Sequence, residues 1–163
     1  MSAIDDVLEM NAAFAAAYKD LDPPRPPRMR LAVIACMDSR LDIHKMLGLE
    51  EGDAHVIRNA GGVVTEDTIR SLVISQRVGG TREIMLVHNT ECGMLTFQDD
   101  DLKRQVESET GAEVPFDFHA FSDLEEQVRR SVARVRESPF LIHEDAIRGF
   151  VYEVRTGRLR EVG

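Results

Sequence analysis

The chain contains two cysteines, Cys36 and Cys92, each flanked by residues able to hold or orient a metal ion. Cys36 opens the segment Cys36-Met-Asp-Ser-Arg40, which places Asp38 and Arg40 two and four residues beyond the thiol. Cys92 closes His88-Asn-Thr-Glu-Cys92. Thiolate sulfur and imidazole nitrogen are the soft-to-borderline donors that zinc prefers. A catalytic zinc takes three protein ligands and keeps a fourth position for water, which then ionises near pH ~7 to give a hydroxide nucleophile. Inert buried thiols and a redox pair are the other readings of two cysteines. No C-x-x-C spacing supports the redox reading, and a structural disulfide is unexpected in a reducing compartment.

The segments around these residues predict where they sit. Leu31–Ala35 (LAVIA) is a continuous apolar run, as expected of a central parallel strand buried on both faces. Residues 41–48 predict a short helix ending at Gly48, and Ala54–Ile57 a second strand. Thr65–Arg77 carries Ile69, Leu72 and Val73 at helical spacing, with Glu66 and Asp67 at its start, where acids suit the helix dipole. Gly79-Gly80 stops it, and Glu83–Val87 is a third apolar strand. Asp99–Thr110 and Ser122–Arg136 are predicted helices, the second opened by a Ser122/Glu125 capping box and the first by the acids 99–101. Residues 147–154 alternate as a strand, and Leu159–Val162 returns as a hairpin through Thr156-Gly157. Both thiols then follow strands of one sheet, at the carboxyl edge where α/β folds bind ligands.

The fold expected is a single α/β domain over 1–163, with a mainly parallel central sheet flanked by helices and a C-terminal strand or hairpin. An N-terminal helix and a proline-rich arm occupy 1–28. The Ala-rich stretch 3–18 predicts the helix, ending near Asp20, and the four prolines of Asp22–Arg28 exclude helix and predict an extended arm. That arm either packs on its own domain or lies across another subunit.

With 163 residues, 43 % hydrophobic and 30 % charged, the chain has the balance of an ordinary globular domain. A net charge of -9 and the lack of a Lys/Arg cluster argue against nucleic acid. No apolar run reaches the ~18 residues of a membrane helix, and the acidic start is unlike a signal peptide. A cytoplasmic protein is expected. His44, His55, His119 and His143 lack metal-like spacing and read as surface or core residues.

Taken together, CMDSR after a buried strand, Arg58-Asn-Ala-Gly-Gly62, and a His/Cys-Gly cluster after the third strand resemble the β-carbonic anhydrase family. The order and spacing match over roughly residues 30–95, and the N-terminal helix with arm and the last strand also suit the family. The resemblance implies zinc held by two cysteines and a histidine, reversible hydration of carbon dioxide to bicarbonate and a proton, and at least a homodimer embraced by the N-terminal helix and arm. Carried over, it makes Cys36 and Cys92 zinc ligands, Asp38 the acceptor for zinc-bound water or a fourth ligand, and Arg40 the partner that holds Asp38 off the metal. A bidentate Arg–carboxylate pair suits that last role. Gly61 and Gly62 read either as a tight turn or, by the resemblance, as backbone near the mouth of the site.

One position departs. The family's histidine stands three residues before the second cysteine, where this chain has Asn89; the histidine here is His88, one residue earlier. Neighbours on a strand face opposite ways, and a neutral amide is a poor zinc ligand beside thiolates. Three arrangements follow. The strand ends early and His88 swings in; or Cys36, Cys92 and Asp38 hold the metal; or no zinc binds, and the fold serves as a binding or interaction protein or acts on another small substrate, with Asn89 lining the pocket.

Overall fold

The computed structural model describes residues 2–19 and 26–163. Strand β1 (Leu31–Cys36) lies between β2 (Ala54–Asn59) and β3 (Glu83–Asn89), parallel to both. β4 (Ile147–Glu153) runs parallel to β3, and β5 (Arg158–Val162) returns antiparallel, giving the order β2-β1-β3-β4-β5. The central place of β1 accounts for its composition. Ala32, Val33, Ile34 and Ala35 are fully buried because both faces of the sheet are covered.

On one face Val33, Ala35 and Val87 pack with Leu41, Ile43 and Met94. On the other, Ala32, Ile34 and Leu86 pack with Leu72 of α3 (Glu66–Arg77) and Val135 of α5 (Leu124–Arg136). Each fully buried aliphatic side chain contributes ~1.5–3 kcal/mol. Gly149 lets α5 approach β4: a Cβ there would stand 2.4 Å from Val128 and 2.8 Å from Val132.

Several boundaries differ from those expected. The short helix α2 spans only Ile43–Leu47, capped by the Asp42 side chain and ended by Gly48 at φ 66°. α5 begins at Leu124; its capping side chain is Asp123, which accepts from the Glu126 N–H, and not Ser122. Helix α4 (Asp99–Thr110) has the expected acidic first turn, but the Asp99 carboxylate also accepts the backbone N–H groups of His119 and Ala120. β2 and β3 each run two residues further than the sequence implies, through Asn59 and Asn89, because ladder pairing continues past the apolar run.

Helix α1 (Ala3–Ala17) opens with a Ser2/Asp5 capping box and ends at Tyr18, ahead of Asp20. None of its residues is buried; Ile4, Val7, Leu8, Met10 and Phe14 are 61–72 % exposed. Residues 22–25 of the expected proline arm lie outside the described residues.

Candidate active site

Cys36 and Asn89 end adjacent parallel strands, and Cys92 follows three residues after β3, beside a single 3-10 turn over Gly93–Leu95. This brings both thiols to the carboxyl edge of the sheet. Their sulfurs stand 3.9 Å apart in a buried setting. Gly62 permits the close approach of the loop after β2. At φ 65°, a Cβ on it would lie 2.8 Å from the Cys36 nitrogen and 2.9 Å from the Ala35 carbonyl carbon. A Cβ on Gly61 would meet Met94 at 2.8 Å.

Asp38 is gripped by Arg40. The guanidinium donates to Oδ1 at 3.0 Å through Nε and to Oδ2 at 2.6 Å through Nη2. Arg40 Nη2 also donates to the Glu91 carbonyl oxygen at 3.0 Å, and its Nη1 stands 3.3 Å from the Glu91 carboxylate. Arg58 fastens the same loop from β2, donating to the carbonyls of Cys36 at 3.0 Å and Asp38 at 2.8 Å. The reading from sequence did not single out Arg58 or Glu91. Arg58 opens the Arg-Asn-Ala-Gly-Gly motif on the strand paired with β1, and that adjacency was the available signal.

Because β3 continues through Asn89, His88 and Asn89 face opposite sides. Asn89 is fully buried and donates through Nδ2 to Asp38 Oδ2 at 3.1 Å and to the Thr90 carbonyl at 3.1 Å. Its Oδ1 is buried without a hydrogen-bond partner. His88 is equally buried and turns to α5, with Nε2 3.1 Å from Ser131 Oγ and its ring edge-on to Phe121. The structure thus brings Cys36, Cys92, Asp38, Arg40 and Asn89 together and places His88 among the residues of the α5 side.

The electrostatics follow the contacts. Hydrogen bonds from Arg40 hold the Asp38 carboxyl down to about 2, so it is ionised at neutral pH. The hydrogen bond from Cys92 pulls the Cys36 thiol down, while Cys92 is pushed up as the proton donor of the pair. Burial lowers His88 to about 4, which leaves its imidazole neutral.

The fit to zinc is divided. Two thiolates on a tetrahedral zinc, at Zn–S ~2.3 Å, stand ~3.8 Å apart, and the sulfurs here are 3.9 Å apart. The third donor does not match. Asn89 offers a neutral amide whose nitrogen is committed to Asp38 and Thr90. Among the described residues, no three His, Cys, Asp or Glu side chains form a group able to hold a metal. The donor set does not fit the zinc of two cysteines and a histidine that the resemblance implies.

Fold and site together define an α/β protein in which two thiols meet an arginine-bound carboxylate at the carboxyl ends of parallel strands. The carbonic anhydrase family profile matches residues 31–159. The chain is 51 % identical over 162 residues to beta-carbonic anhydrase 1 of Mycobacterium tuberculosis, covering 99 % of each. It is 36 % identical over 160 residues to a carbon disulfide hydrolase of an Acidianus species, covering 83 % of this chain and 78 % of that one. Among solved structures, the carbonic anhydrase of Streptococcus mutans superposes with a TM-score of 0.94 at 42 % identity, covering 100 % of this chain and 99 % of the other. This chain belongs to the β-carbonic anhydrase family.

Proposed function

We propose that this protein is a carbonic-anhydrase-fold homologue whose metal centre is altered at one position, and that its pocket serves a small linear or carbonate-like molecule without zinc-dependent hydration of carbon dioxide. The observation that carries this reading is Asn89, which stands beside Asp38 where the family's histidine would be and spends its amide on holding the carboxylate. Asp38 is the acceptor of the site, Arg40 and Arg58 are the positioning residues around it, and Gly61 and Gly62 shape the pocket wall. The similarity to a carbon disulfide hydrolase supports a linear substrate of that size. The test is zinc per chain by elemental analysis of protein purified without added metal, alongside stopped-flow carbon dioxide hydration. Little zinc and no hydration, even after zinc is supplied, is expected. Zinc near one per chain, with hydration lost in Cys36→Ser, overturns the reading.

Zinc-dependent hydration of carbon dioxide is the second reading. It is favoured by the 3.9 Å thiol spacing, which suits a shared metal. For either reading we propose a homodimer or larger assembly in a cytoplasmic setting. The exposed apolar side chains of α1 support the assembly, as does an apolar groove of 620 Å³ between β2 and α3.

A further inference from the structure

On the α5 side of the sheet, a second cavity of 220 Å³ opens between α5 and the chain around His119, with Val63 and Val64 as its apolar wall. We propose that this cavity binds a small oxyanion, planar or tetrahedral, of the kind represented by bicarbonate and inorganic phosphate. The proposal does not depend on whether the thiol site holds zinc.

The cavity gathers Arg130, Arg134, Gln127, Ser131 and His119 on a chain whose net charge is -9. Arg129, next to Arg130, is occupied by carboxylates, standing 3.1 Å from Glu125 and 3.5 Å from Glu126. Arg134 has no hydrogen bond or ion pair among the described residues, and Arg130 commits only its Nε, to Glu126 at 3.2 Å. Spaced four apart on one helix, the two guanidiniums lie on one face, and each offers the planar fork that matches an oxyanion edge.

Two features show that the site is built. Gln127 Nε2 donates to Ser131 Oγ at 3.4 Å, and the Ser131 residue is only 2 % exposed, so a buried hydroxyl and a side-chain amide line the cavity beside the arginines. Opposite them, the backbone at His119 is held at φ 61°, a conformation non-glycine residues seldom adopt. The Asp99 carboxylate holds it there by accepting the N–H groups of His119 at 2.9 Å and Ala120 at 2.6 Å. Asp117 is the acid nearest in sequence to His119, and it pairs with Lys103 at 2.6 Å. The volume corresponds to about seven water molecules at ~30 Å³ each. That admits an oxyanion with part of its hydration shell. Ser131 Oγ also meets His88 Nε2, so a ligand that engages this hydroxyl competes with a contact one residue from Asn89.

The test is an amide NMR titration of the whole chain with sodium bicarbonate and sodium phosphate in separate arms, each against sodium chloride at equal ionic strength. Saturable shifts are expected at Ala120, Gln127, Ser131 and His88, with a dissociation constant of about 1–10 mM. The tighter arm identifies the planar or the tetrahedral anion. Arg134→Gln should weaken binding at least ~10-fold, Arg134→Lys should weaken it less because charge survives without the fork, and Arg129→Gln should leave it unchanged. Shifts that chloride reproduces, shifts confined to residues 36–40 and 89–92, or equal affinity in Arg134→Gln would each overturn the proposal.

Discussion

Replacing Gly62 by alanine separates backbone strain from lack of space, because the chain carries its own control. Gly62 and Gly48 share nearly the same φ, 65° and 66°, but a Cβ on Gly48 would meet nothing within 4 Å. A Cβ on Gly62 would stand 2.8 Å from the Cys36 nitrogen, 2.9 Å from the Ala35 carbonyl carbon and 3.2 Å from the Val87 oxygen. All three are backbone atoms of the two central strands, where no side chain can swing aside. The left-handed conformation alone costs about 1–2 kcal/mol for a non-glycine residue, and this should be the whole loss in Gly48→Ala. Overpacking against a rigid neighbour adds about 1–3 kcal/mol, so Gly62→Ala should lose about 2–5 kcal/mol. For a domain of this size that lowers the melting temperature by about 4–20 °C. Urea unfolding of the two variants beside the parent, followed by far-UV circular dichroism, gives both values. The pocket wall should also move, so thiol labelling of Cys36 by a small alkylating agent should be faster in Gly62→Ala. Equal losses in the two variants would show that the neighbouring strands yield, and the close-packing argument would fail.

Asn89→His supplies the missing imidazole between thiols already at zinc spacing. Removing even a second-layer partner costs ~10–100-fold in metal affinity, so adding a direct ligand should raise zinc affinity at least ~100-fold, read by elemental analysis after dialysis. An unchanged zinc content would show that Asn89 is not what limits binding. His88 makes stability fall in mild acid. Its folded pKa of about 4 lies below the unfolded ~6.5, so the unfolded chain binds the extra proton between those values. The penalty is absent above pH ~6.5, reaches ~2 kcal/mol near pH ~5 and levels off near ~3 kcal/mol below pH ~4. A His88→Gln variant should lose that part of the slope in denaturant titrations, and an identical slope would assign it elsewhere. Leu72→Ala, at a position with 0 % exposure on the buried face of α3, should cost about 2–5 kcal/mol in the same measurement; a loss below about 1 kcal/mol would mean the core closes over the gap.

Strands and helices were largely legible in the sequence because the central sheet is covered on both sides. That setting demands uninterrupted apolar runs such as Leu31–Ala35, and it makes apolar residues recur at helical spacing, Ile69, Leu72 and Val73 on α3 and Val128, Val132 and Val135 on α5. Strand ends were less legible. Arg58, Asn59, His88 and Asn89 are polar, yet they belong to the ladders, since backbone pairing does not depend on side-chain polarity. The two-residue extension of β3 decides which of His88 and Asn89 faces Asp38. Local motif spacing singled out Cys36, Asp38, Arg40 and Cys92, which the structure brings to one edge of the sheet. It could not find Glu91, whose contact with Arg40 spans 51 positions, or Ser131, which reaches His88 from a helix 43 positions away. Such pairings exist only once the sheet has set the distances.

The grip of Arg58 on the carbonyls of Cys36 and Asp38 has a consequence for how the molecule opens. Among the described residues β2 is the outermost strand on its side of the sheet, bonded to β1 alone, and an outer strand ordinarily frays independently of the interior. Here fraying through Arg58 must also release the loop that carries Asp38. Amide exchange at the end of β2 and in the Cys36–Arg40 loop should therefore report one cooperative opening with one free energy, tying the integrity of the site to that of the sheet's outer margin.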